Sequence, residues 1–168
     1  MSTQTTDLGR DSIGKLLFKL ATPAIIAQLV NVLYNIVDRI FIGRLPEGDL
    51  AMAGIGVAFP IIMLISATSA LIGMGGAPLA AIKMGEQDHD GAEKIMSNAL
   101  SMLVILSILL MMSLLIFKEP LLLAFGASSQ TLVYANDYLG IYILGTLFVQ
   151  IAIGMNPFIN TQGFAKIG

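Results

Sequence analysis

The chain has 168 residues, 56% of them hydrophobic and only 12% charged, with a mean hydropathy of +0.84 and a formal net charge of −2. That balance is too apolar for a water-soluble domain of this size. The lysines and arginines are scattered rather than clustered, which argues against a nucleic-acid partner, and the absence of cysteine excludes disulfides and thiolate metal sites within the chain.

The polar opening "MSTQTTDLGRDSIGK" reads as a tail over 1–15, followed by a first apolar span over about 16–42. The apolar run is too long for a cleaved leader and contains Pro23, Gln28 and Asn31, so this span is expected to be retained. Within it Gln28, Asn31, Asn35 and Asp38 are separated by three, four and three residues, which places them on one face of a helix. A polar stripe on a membrane helix does not face lipid. For the amides alone, hydrogen bonding along a helix seam is the simpler reading. Asp38 changes it, because an ionised aspartate at a helix centre costs about 2.5–3.5 kcal/mol and usually lines a cavity or an ion path. Arg39 is next in sequence but points about 100° away, so it does not pair with Asp38 and is expected to reach the headgroups or another helix.

A second span covers about 50–82, longer than the roughly 20 residues a perpendicular crossing requires. Ser69, Gly73, Ala77 and Ala81 recur every four residues along it, a ridge that allows close approach of another helix. The run "GMGGAP" lacks the Gly-Lys-Ser/Thr ending of a phosphate loop. The loop "KMGEQDHDGAEK" follows, with Asp90 as the expected helix cap; its Asp88, His89, Asp90 and Glu93 read as a solvated acidic turn rather than a metal site.

A third span over about 95–117 does not alternate, which argues against a barrel strand; helices also satisfy their own backbone groups in lipid. The segment "KEPLLLAFGASSQTLVYAND" is expected to be a loop before a fourth span over about 138–159. There Tyr138 and Tyr142 suit an interfacial belt, and Gln150 is deep enough to face a cavity. Pro23, Pro60, Pro78 and Pro157 each remove a backbone donor and are candidate hinges. Arg10, Lys15, Lys19, Lys83, Lys94 and Lys166 fall on one side of this topology and Arg44 and Lys118 on the other, so the N-terminus is expected in the cytoplasm. No nucleophile with a base, ligand set or nucleotide loop points to an enzyme.

"LATPAIIAQLVNVLYNIVDRIFIGRL" followed by "AMAGIGVAFPI" resembles the first two helices of the multidrug and toxic compound extrusion (MATE) family, and "LAAIKMGEQDHDGAEKI", "LLLAFGASSQTLVYANDYLGIYILG" and "GMNPFINTQGFAKIG" match the same pattern in order. The resemblance is to the bacterial drug-exporter branch and covers nearly everything after Lys15. It implies an all-α polytopic membrane protein of twelve helices in two six-helix bundles. The four spans over 16–168 would be part of the N-terminal bundle, and the C-terminal helices of the same transporter would be missing partners. It further implies multidrug efflux by antiport with H+ or Na+ across the plasma (inner) membrane, no other cofactor, and small amphipathic cationic drugs as substrates. Asp38 with Asn35 would form the cation-coupling site, with Na+ a possible ligand of Asp38 completed by residues elsewhere. Gln28, Asn31, Tyr34 and Gln150 are the cavity-lining candidates, and Pro23, Pro60, Gly73, Ala77 and Pro157 the hinge or packing candidates. Met63, Met74 and Met102 would add adaptable apolar surface. Two alternatives are a flippase for lipid-linked saccharides, which would call for more basic cavity residues, and a non-transporting four-helix membrane module.

Overall fold

The computed structural model describes residues 13–162. They form α1 (Ile13–Gly43), α2 (Gly48–Gly85), α3 (His89–Ala124), α4 (Thr131–Leu144) and α5 (Thr146–Thr161). Residues 1–12 and 163–168, including most of the expected N-terminal tail and Lys166, lie outside the described residues.

α1, α2 and α3 are each long and apolar enough to cross a membrane, and α4 with α5 make a fourth crossing if counted as one bent span. At 38 residues, α2 measures about 57 Å. That exceeds a hydrocarbon core of about 30 Å, so α2 projects beyond it or tilts.

α2 is the axis of the fold, packing against each of the other four helices, whereas α1 packs on α2 alone among the described residues. Two apolar clusters hold the rest together. Near the α1–α2 turn, Ala58, Ile61 and Ile65 of α2 meet Leu114 and Leu122 of α3 and Ala135, Leu139 and Ile143 of α4. Toward the other end, Ile72, Ala77 and Ala80 meet Ala99 and Leu103 of α3 and Phe158 of α5. Between them the small-residue ridge does what its spacing suggests. Ser69, Gly73 and Ala77 are buried and Ala81 only partly so, and a methyl built on Gly73 would sit 2.5 Å from the Gly154 carbonyl oxygen of α5. The two backbones touch there.

Four expectations change. α3 does not stop at Phe117 but continues through Pro120 to Ala124, because the extra turn buries Leu122 completely in the first cluster. The long loop expected over 118–137 shrinks to 125–130, since Thr131, Ala135 and Leu139 carry α4's buried stripe ahead of the expected start of the span. The fourth span is two helices bent by 60° rather than one. The bend is not at a proline: α-helix runs through Pro23, Pro60, Pro78, Pro120 and Pro157, while the break falls at Gly145. Gly145, the residue type that a helix interior tolerates least after proline, stands at the break, and Thr146 beside it places its hydroxyl 3.5 Å from the Tyr142 carbonyl.

The fourth change is the cap of α3. Asp88, not Asp90, accepts from the Gly91 amide at 2.9 Å, because the turn puts Asp88 at the position before the first helical residue. That bond, aided by Lys83 at 3.3 Å, holds the Asp88 carboxyl below its usual range. Lys83 also bridges to Glu86 at 2.8 Å. The acidic turn is thus occupied in ending α2 and starting α3, and among the described residues no three or more His, Cys, Asp or Glu side chains gather as for a metal.

Candidate functional site

The polar stripe of α1 is uncovered. Gln28, Asn31, Tyr34 and Asn35 are exposed, and Asp38 alone among them is partly buried. Asn35 donates from Nδ2 to both the backbone oxygen and Oδ1 of Asn31, each at 2.8 Å. The Asn35 donors are therefore spent along the helix, and its amide oxygen keeps acceptor capacity. Leu29, Val30, Leu33, Val37 and Phe41 are also exposed. α1 therefore presents both a polar and an apolar face that the described helices do not cover.

Tyr138 of α4 is partly buried and packs against the first apolar cluster. Tyr138 stacks on Tyr142, with ring centroids 6.5 Å apart and planes 24° from parallel, and Tyr142 packs against the same cluster, which includes Ala58, Ile61 and Ile65 of α2. One turn the other way, Tyr134 donates to Glu47 in the α1–α2 turn. Tyr134, Tyr138 and Tyr142 thus form a ladder at four-residue spacing that ties α4 to α2 and the α1–α2 turn. Reading Tyr138 and Tyr142 as an interfacial belt missed this. The spacing was visible in the sequence; the identity of the facing helix was not.

The described stripe supplies one carboxylate, Asp38, and one amide oxygen, that of Asn35, on a single face of α1. A single carboxylate is sufficient for a proton. A hard cation such as sodium takes several oxygen ligands, so a sodium site here would draw further oxygens from outside the described residues.

Gln150 lies elsewhere. It is fully buried between α5 and α2, 0% exposed, with Nε2 donating to Thr68 Oγ1 at 3.3 Å and Oε1 without a donor among the described residues. It is a packed residue in this fold, not one facing open space. A bare buried acceptor costs free energy that an apolar residue of equal shape would not. Gln150→Met is therefore expected to leave the folded state as stable or more so, because Thr68 keeps its bond to the Ile65 carbonyl at 2.7 Å. Gln150→Ala, which leaves a cavity, is expected to cost about 2 kcal/mol or more. Thermal unfolding of the two variants in the same detergent checks the order; a large loss with Met would mean that Oε1 has a partner after all. Of the other packing and hinge candidates, Gly73 and Ala77 lie in the α2 seam, Pro23 and Pro157 are partly buried, and Pro60 is exposed. Met63, Met74 and Met102 are also exposed.

Comparison with known proteins gives a consistent answer. The MatE family model matches residues 23–168. The multidrug export protein MepA of Staphylococcus haemolyticus is 28% identical over 152 residues, which is 90% of this chain and 33% of that protein. MepA of Staphylococcus aureus is 22% identical over 158 residues, 94% of this chain and 35% of its own length. Among solved structures, the MATE multidrug transporter DinF-BH, solved in complex with a dye, superposes with a TM-score of 0.88 at 35% identity, covering 99% of this chain and 38% of that one. A MATE protein in complex with MaD3S gives 0.87 at 25% identity, over 99% of this chain and 37% of that one. The chain thus spans about a third of the length of the curated relatives it matches. With the family model matched over most of its length and the all-helical fold superposing on MATE transporters, this chain belongs to the MatE family of multi-pass membrane proteins.

Proposed function

We propose that the chain is part of the N-terminal bundle of a multidrug exporter that couples efflux of small amphipathic cationic drugs to entry of H+ or Na+ by alternating access. The observation that carries this reading is Asp38: a partly buried carboxylate at the end of an otherwise exposed polar stripe on α1. The resemblance to drug-export proteins and to a transporter solved with a bound dye supports the substrate class. The spread of basic residues supports a cytoplasmic N-terminus in the plasma membrane.

The chemistry follows from one charge. Ionised, Asp38 attracts a drug cation in a low-dielectric cavity; a proton or sodium arriving from outside neutralises it and removes that attraction, so the drug leaves. Losing the cation to the cytoplasm restores the charge and with it the affinity for the next drug. Asn35 offers its amide oxygen to the same cation, Gln28, Asn31 and Tyr34 line the approach, and the uncovered apolar residues of α1 supply walls without fixed polar demands, which suits broad selectivity. A flippase for lipid-linked saccharides fits less well, since Arg39 is the one basic residue that the sequence reading leaves within a span.

The test is uphill transport of a cationic fluorescent dye by the complete transporter in proteoliposomes. Transport is expected to require an imposed H+ or Na+ gradient and to stop when an ionophore dissipates it. Equal transport without any cation gradient would overturn the coupling.

A further inference from the structure

We propose that the groove between α1 and α2 beside the turn joining them is a phospholipid site, in which Arg39 holds the headgroup phosphate of one anionic lipid and the α2 wall takes its acyl chain. The groove has a volume of about 240 Å³ and is lined by Arg39 of α1 and Met52, Ile55, Gly56 and Phe59 of α2. Three observations choose the occupant.

The first is charge. Arg39 is exposed, and among the described residues the ion pairs all belong to Lys83, so no carboxylate within pairing distance neutralises it. The Gly56 carbonyl, which Pro60 has no N–H to serve, is an acceptor in the same groove but a neutral one. A guanidinium in lipid needs an anion, and its planar fork suits a phosphodiester.

The second is depth. Arg39 lies four residues before the end of α1 at Gly43, about 6 Å below it, a position from which an arginine side chain reaches the headgroup layer. Phe59 lies eleven residues into α2 from Gly48, about 16 Å along the axis. Phe59 is thus about 10 Å deeper than Arg39, within one leaflet of a hydrocarbon core about 30 Å thick. Phosphate at Arg39 and a chain ending near Phe59 are therefore compatible with a single lipid in a single leaflet.

The third is shape. Met52, Gly56 and Phe59 lie on the side of α2 away from its buried face, which runs through Ala51, Gly54, Ala58 and Ile61. A methyl built on Gly56 would meet nothing within 4 Å, so the floor is bare backbone open to a chain. This site lies about 100° around α1 from Asp38 and does not depend on the coupling reading.

The experiment is lipid titration of the purified complete transporter by native mass spectrometry, with phosphatidylglycerol against phosphatidylcholine. One phosphatidylglycerol is expected to bind about fivefold more tightly than phosphatidylcholine, the size of one basic contact near a membrane surface. Arg39→Gln should abolish that preference and Arg39→Lys should keep most of it. Gly56→Leu, which fills the floor and leaves the charge in place, should lose the bound lipid of either kind. A photoreactive phosphatidylglycerol should label Met52 or Phe59. The proposal is overturned if Arg39→Gln keeps the preference, if inorganic phosphate alone displaces the lipid, or if a cross-linker placed at Gly56 captures another helix instead of lipid.

Discussion

Asp38→Asn in the complete transporter is expected to abolish uphill extrusion of a cationic dye while leaving membrane abundance unchanged. The substitution keeps the shape and removes the charge, so it separates electrostatics from folding. A pair of unit charges 4 Å apart is worth about 4 kcal/mol at an effective dielectric of 20, a ceiling of roughly a thousandfold in affinity. Desolvation of both ions offsets part of that, so dye affinity should fall by about 10- to 100-fold and coupled transport should become undetectable. Asn35→Ala should reduce coupling less, because Asn35 shares an acceptor role rather than the charge. If Asn35→Ala instead removes folded protein from the membrane, its pairing with Asn31 is a structural seam and the coupling role narrows to Asp38.

Gly73→Leu is expected to prevent folding. α2 and α5 meet at Gly73 and Gly154, where even a methyl on Gly73 would stand 2.5 Å from the Gly154 oxygen and 3.2 Å from its Cα. Backbone does not yield as a flexible side chain does. Gly73→Ala should therefore cost about 1–3 kcal/mol, the usual range for overpacking, and Gly73→Leu more than the fold can bear. Gly75→Ala is the matched control, since nothing lies within 4 Å of its added methyl. Its higher helix propensity makes it neutral or stabilising by up to about 1 kcal/mol. Fluorescence-detected size-exclusion chromatography after heating ranks the three, and equal midpoints for Gly73→Ala and Gly75→Ala would contradict the backbone contact.

The elements that the sequence makes legible are those whose cause is local. The apolar blocks announce α1, α2 and α3, the four-residue recurrence of Ser69, Gly73 and Ala77 announces the seam that α5 occupies, and the three-four-three spacing from Gln28 to Asp38 announces a shared face. What escaped was decided between helices. Leu144, Gly145 and Thr146 sit inside an apolar run that reads as one span, and no proline or charged residue marks the 60° bend there. The first turns of α4 carry Asn136 and Asp137, which lower the local hydropathy and hid the buried stripe through Ala135 and Leu139. Asp88 and Asp90 are both good caps by composition, and the turn geometry rather than the residue type chose Asp88. Likewise Gln150 looked free to face a cavity because nothing in its neighbourhood in sequence names Thr68, 82 positions away, as its partner.

The central claim is that one carboxylate, Asp38, is shared in turn by the coupling cation and the drug. Equilibrium binding of a cationic dye to the purified complete transporter, measured across pH and sodium concentration for the native protein and for Asp38→Asn, tests it most directly. The expected result is that native affinity weakens as pH falls or sodium rises, while Asp38→Asn binds weakly and without dependence on either. Tight dye binding by Asp38→Asn that still responds to the cation would contradict it.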